Sequence, residues 1–272
     1  MSICVAFNLS DGVVIAVDSA TTIVDHTGSI TKVFTDADKI FQLGDLRIGI
    51  ATYGVAALRG RTIGSFVREF WLLPENGDLA DLELREVVER LRVFFLDNYR
   101  GFLEEIHSKP FDDIGEESKG VLGLVVGGFS HQAFQSEVWE IQIPVHLEPY
   151  SAIQQSARGE YGFTWYASSV PISRYLKGFD TGLMSRLLDL FIEIVGRPFT
   201  DEESEKFRKV LRSGEYSVVV SGMPIQSGID CAKFLVNFVL GHYRFAETHP
   251  IVGGKPIIGV VSYDQDAFRI QK

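Results

Sequence analysis

The sequence predicts an α+β fold in which stacked sheets are covered by helices. Short strand-like apolar runs come in groups, separated by groups of helical periodicity, rather than alternating one by one as a doubly wound fold requires. The 272 residues are 46% hydrophobic with a mean hydropathy of +0.10, enough to bury one large core. No repeat, linker or low-complexity stretch divides them, so residues 1–272 read as one domain.

The elements follow in order. Ile3-Cys4-Val5-Ala6-Phe7 and Val13-Val14-Ile15-Ala16-Val17 are apolar runs joined by the turn chemistry of Ser10-Asp11-Gly12, which predicts a buried hairpin. Asp25-His26-Thr27-Gly28-Ser29 marks a turn, Lys39-Ile40-Phe41-Gln42-Leu43 a strand, Gly44-Asp45 another turn, and 46–51 the strand that returns. Over 55–71 and 81–106 the period becomes helical, with Val87, Val88, Leu91, Phe94, Phe95, Tyr99, Phe102, Leu103 and Ile106 on one face, and Pro74-Glu75-Asn76-Gly77 separates the two helices. Strands return at 121–126, closed by Gly127-Gly128, at 138–143, where polar and apolar residues alternate, and at 162–167. A helical pattern covers 172–195, stops at Gly196-Arg197-Pro198 and restarts at Thr200, where Glu203 completes a capping box. The last helix is predicted over 228–243, and Pro256-Ile257-Ile258-Gly259-Val260-Val261 is the last long strand.

Composition excludes several function classes. Twenty-six basic against thirty-six acidic residues give a net charge of -10 and a pI near 5.1, a poor match for nucleic acid or an anionic membrane. The two cysteines, Cys4 and Cys231, have neither metal-ligand spacing nor a disulfide framework, which fits a reducing cytoplasm. The first apolar stretch lacks a basic leader and is broken by Asp11 and Asp18, so neither a signal peptide nor a transmembrane helix is expected. His242 and His249 have no third ligand, and Gly253-Gly254-Lys255 lacks the spacing of a phosphate-binding loop, so no metal and no cofactor are expected. No Gly-x-Ser-x-Gly elbow occurs, and Trp71, Trp139 and Trp165 read as core or subunit contacts.

Ser2 is the chemically informative position. Once Met1 is removed, the chain begins with a hydroxyl that carries its own α-amine, and an amine with an unperturbed pKa of about 8 can accept a proton near neutral pH. The hairpin folded about residues 10–12 brings Asp18, at the end of the return strand, within a residue or two of facing Ser2. A carboxylate there can orient a neighbouring cation or close a turn with Ser19. Lys39 on its own reads as a solvated turn lysine after Asp36-Ala37-Asp38.

Together, Ser2-Ile3-Cys4-Val5-Ala6, Gly12-Val13-Val14-Ile15-Ala16-Val17-Asp18, Lys39-Ile40-Phe41-Gln42-Leu43 and Ile48-Gly49-Ile50-Ala51 resemble the proteasome β-subunit superfamily of N-terminal nucleophile hydrolases. The chain is especially similar to the bacterial proteasome-like group that includes Anbu. Val125-Val126-Gly127-Gly128, Tyr166-Ala167-Ser168, Ile225-Gln226-Ser227-Gly228-Ile229-Asp230 and Gly253-Gly254 continue the resemblance in the same order. It implies a four-layer αββα sandwich, two antiparallel sheets flanked by helices, and self-association into rings or related homo-oligomers. It also implies a nucleophile at Ser2, an acid at Asp18, an active-site lysine at Lys39, and an oxyanion donor near Thr52. Two segments depart from the family pattern: Ser169-Val170-Pro171-Ile172-Ser173, and Glu247-Thr248-His249-Pro250-Ile251-Val252 before Gly253-Gly254.

The expected function is therefore hydrolysis of peptide or amide bonds through an ester on Ser2. A catalytically silent assembly subunit and an amidohydrolase acting on small amides are the alternatives. No unfoldase partner is read from the sequence.

Overall fold

Strands β1 (Ile3–Leu9) and β2 (Gly12–Asp18) form the predicted opening hairpin, and every residue of both is buried. The structure is a computed structural model describing residues 2–24, 30–246 and 252–271. Next come β3 (Thr21–Val24) and β4 (Ile30–Phe34), a second hairpin that the sequence does not announce. The predicted turn at 25–29 lies outside the described residues. Lys39 leads into β5 (Ile40–Gln42), which pairs with β6 (Ile48–Gly54). The returning strand starts later than predicted because Leu46 still belongs to the turn, its N–H donating to the Leu43 carbonyl at 3.0 Å.

The helix predicted at 55–71 needs correction. Strands β7 (Ala57–Leu58) and β8 (Arg61–Thr62) occupy its first half as a small hairpin, turned by Arg59 and Gly60 at φ 49° and 72°. Two successive residues at positive φ suit a two-residue hairpin and no helix. Helix α1 (Ile63–Leu72) begins only after Thr62, whose hydroxyl accepts from the Ser65 N–H. Helix α2 (Leu84–His107) buries Val87, Val88, Leu91, Phe95, Tyr99 and Leu103 of the predicted stripe, whereas Phe94 and Phe102 are only partly buried and Ile106, in the last turn, is 59% exposed. Strands β9 (Leu122–Gly128) and β10 (Glu137–Ile143) follow as expected, β11 (Ile153–Ser156) is additional, and β12 (Gly162–Ala167) matches the predicted range. The helix expected over 172–195 is two, α3 (Val170–Lys177) and α4 (Thr181–Val195), broken by Gly178 at φ 80° and restarted by the Asp180 cap. Helix α5 (Asp201–Arg212) carries the predicted Thr200/Glu203 capping box. Helix α6 (Ile225–Phe245), β13 (Pro256–Ser262) and β14 (Arg269–Gln271) complete the described elements.

The chain divides into two compact units, Met1–Ala167 with Val220–Lys272, and Ser168–Val219. In the first, two five-stranded antiparallel sheets run in the orders β12-β1-β2-β13-β14 and β11-β10-β9-β6-β5. Cys4, Ala6, Val13, Ile15 and Val17 of one sheet share a core with Ala51, Tyr53, Val125 and Val138 of the other. The second sheet's Ile48, Ile50, Leu124, Val126 and Ile141 pack instead with α1 and α2. Helix α6 approaches β1 and β2 closely at Gly228, where a Cβ would meet Leu9 at 2.5 Å. The second unit holds α3, α4 and α5. In it Phe191, Phe199 and Phe207 stack at centroid distances of 3.7 and 5.2 Å, and no residue of α4 or α5 is buried. No helix among the described residues is long and apolar enough to cross a membrane.

Phe268 joins the two sheets. Its fully buried ring lies against Gly49 of β6 and Gly259 of β13, where an added Cβ would stand 2.2 and 2.3 Å from ring carbons. Each glycine leaves the space the ring fills. Phe268→Ala should therefore destabilise the protein by about 3–5 kcal/mol, read as a lowered denaturant midpoint with an unchanged slope.

Candidate active site

Hairpin geometry sets the site. Cys4 pairs with Val17, so the chain leaving the start of β1 and the end of β2 emerges at one place, and Asp18 meets the first residues. The Ile3 N–H donates to Asp18 Oδ1 at 3.1 Å. Lys39, one residue before β5, reaches the same spot: its Nζ donates to Asp18 Oδ1 at 2.9 Å and to Ser2 Oγ at 2.8 Å. Ser2, Asp18 and Lys39 are 4%, 0% and 5% exposed, so the three polar groups are enclosed together. The solvated-turn reading of Lys39 is thereby overturned, because Asp18 compensates a burial that a lone ammonium would not tolerate.

The other carboxylate oxygen is also satisfied. Asp18 Oδ2 accepts from the N–H groups of Ala20 at 3.3 Å and Gly253 at 3.2 Å. Ser19 fixes the same junction: its hydroxyl donates to the Thr35 carbonyl at 2.5 Å and accepts from the Lys255 N–H at 2.9 Å. Gly254, at φ 75°, has no room for a side chain, since a Cβ would stand 2.2 Å from Ser19 Oγ. The pair Gly253-Gly254, which in the sequence carries part of the resemblance, thus closes the Asp18 junction through its backbone. The signal was present in two adjacent glycines before a buried strand, which indicate close backbone approach.

Burial pulls the Lys39 ammonium below its ordinary pKa, and the Asp18 charge and hydrogen bond oppose that fall. Burial pushes the Cys4 thiol well above its ordinary value, with Glu140 and Asp18 adding to the rise, so Cys4 stays a neutral thiol. Near it a polar cluster lies between the sheets: Tyr53 donates to Glu140, Gln155 Nε2 donates to Glu140 at 2.8 Å, and the Tyr53 and Tyr166 rings stack at 5.9 Å. Gly123 leaves the space that the Tyr53 ring occupies. These partners are far apart in the chain, and no local pattern signals them.

The Thr52 N–H donates to the Lys39 carbonyl at 2.9 Å and holds the lysine backbone instead of facing an open position. Trp139 is a core residue, its indole N–H donating to Glu137 at 3.0 Å. Trp71 covers Gly44. Among the described residues no cluster of His, Cys, Asp or Glu could hold a metal. Met1, His249 and the departing segment at 247–251 lie outside the described residues.

No family model and no curated protein matches the chain. Solved structures do. Anbu (ancestral β-subunit) from Yersinia bercovieri superposes with a TM-score of 0.52 at 13% identity, over 98% of this chain and 86% of that one. The helical assembly of the Anbu complex from Pseudomonas aeruginosa gives 0.51 at 14% identity, over 96% and 80%. Both of these structural neighbours are Anbu proteins, and the fold of this α+β chain is proteasome-like.

Proposed function

We propose that the chain is a proteasome-like N-terminal serine hydrolase that cleaves peptide or amide bonds through an acyl ester on Ser2. The observation that carries this reading is the Lys39 ammonium, held by Asp18 and donating to Ser2 Oγ at 2.8 Å. In the proposed sequence Ser2 Oγ attacks the carbonyl carbon, and its proton passes to the free Ser2 α-amine, directly or through a water. The amine returns that proton to the departing nitrogen, leaving the ester, and water then attacks the ester by the same route. Lys39 stabilises the serine oxyanion and lowers the amine pKa by like-charge repulsion; Asp18 is a positioning residue that acts through Lys39.

The same reading takes the two sheets and their helices as a four-layer αββα sandwich and places the protein in the cytoplasm. It includes self-association into a homo-oligomer, as in the helical assembly of the Pseudomonas aeruginosa neighbour. A second reading, a catalytically silent assembly subunit, is favoured by the committed Thr52 N–H and the burial of Ser2. Covalent labelling decides between the two. An acylating electrophile should add one adduct to wild type at Ser2 and none to Ser2→Ala, with Met1 absent from the intact mass. Retained Met1 together with an unlabelled Ser2 selects the silent subunit.

Lys39→Ala should lower turnover by about a thousandfold or more, since the hydroxyl and amine lose the neighbouring charge. Asp18→Asn should also be damaging, yet the double variant should be little worse than Lys39→Ala, because the residues work as one unit. Turnover of the three variants against wild type measures the coupling. The pH profile follows from the sign of the lysine shift. Activity rises as the amine deprotonates and falls as Lys39 loses its proton, so the falling limb should lie below the ordinary lysine value of about 10.4. Lys39→Arg, which keeps its charge, should lack that limb in whatever activity it retains.

A further inference from the structure

Helix α4 carries Leu183, Leu187, Leu190 and Ile194 at steps of four, three and four residues, the spacing of a coiled-coil seam. Its apolar residues are not consumed by the chain's own core. Leu187, Leu190 and Ile194 are 37%, 48% and 74% exposed, and Phe191 is the one that stacks on Phe199. A seam of this kind in water requires a second helix.

The flanking charges say which helix. Arg186 and Glu193 each stand one residue before a seam position, Leu187 and Ile194, on the same side of the stripe. Both are exposed, and among the described residues neither makes an ion pair within the chain. In an antiparallel pair with Leu187 against Leu190 of the other helix and Leu183 against Ile194, these flanking positions meet each other across the seam. Arg186 then faces Glu193 of the second helix, and two-fold symmetry repeats the pair. A parallel arrangement would set Arg186 beside a second Phe191 and satisfy neither charge. The apolar stripe and its charges are self-complementary only when read in opposite directions, as an isologous contact demands.

We propose that α4 is a self-association surface, docking antiparallel on α4 of a second copy of this chain. This rests on the self-association proposed above and names the surface that carries it. The test is sedimentation of the full chain and of charge variants across the micromolar range. Arg186→Glu and Glu193→Arg each replace two attractive pairs by two repulsive ones and should weaken association about tenfold. An equimolar mixture of the two variants restores both pairs in a heterodimer and should associate as wild type does, as should the double variant Arg186→Glu/Glu193→Arg. Leu190→Asp should weaken association by roughly a hundredfold, with no charge variant rescuing it, and the circular dichroism of all variants should match wild type. Variants that assemble as wild type would overturn the α4 surface and leave self-association standing. Weakening without rescue in the mixture would overturn the antiparallel pairing. A wild type that stays monomeric would overturn both this surface and the self-association on which it rests.

Discussion

The Asp18 carboxylate is the constraint around which the rest is arranged. It has no solvent contact, and such a charge costs several kcal/mol unless its oxygens are occupied. Here both are, by the Ile3 N–H and Lys39 ammonium on one oxygen and the Ala20 and Gly253 N–H groups on the other. The four donors come from the first strand, the segment after β2, the approach to β5 and the turn before β13. Satisfying one carboxylate therefore fixes four chain segments, and Ser2 is placed by its attachment to one of them and its hydrogen bond from another.

Much of this was legible because it is local. The opening hairpin follows from two apolar runs and a Ser-Asp-Gly turn, the Thr200/Glu203 box from its three-residue spacing, and most of the α2 stripe from its period. Asp18 near Ser2 is hairpin arithmetic. Lys39 was not legible from pattern, since a lysine after two aspartates has the same appearance whether solvated or buried, and it entered by resemblance alone. What failed did so for physical reasons. The Arg59-Gly60 turn sits in a stretch with helical spacing, and Gly178 does not show as a break because one glycine is tolerated inside a helical pattern. The donors Ala20 and Gly253 are main-chain groups, which side-chain chemistry cannot announce.

A second pattern runs through the core: large rings are seated on glycines. Tyr53 lies over Gly123, Phe268 between Gly49 and Gly259, and Trp71 over Gly44. At Phe268 the two sheets approach because the ring meets bare backbone on both, whereas Tyr53 folds over Gly123, its cross-strand partner in the same sheet, and Trp71 of α1 covers the Gly44 turn. The glycines in the strand sequences, which weaken propensity, are the complement of these rings.

The bond from Gly253 to Asp18 spans 235 residues of sequence. At synthesis rates of about 5–20 residues per second, Asp18 waits roughly ten to fifty seconds for this donor. During that interval the carboxylate is short of a partner, and the pocket that encloses Ser2 and Lys39 lacks the strand beyond Gly253. The donor shell of Asp18 is therefore completed by a segment made long after the carboxylate itself. The topology orders assembly: the bonds among Ser2, Asp18 and Lys39 lie within the first 39 residues, and the Gly253 N–H that completes the carboxylate's shell comes long after them.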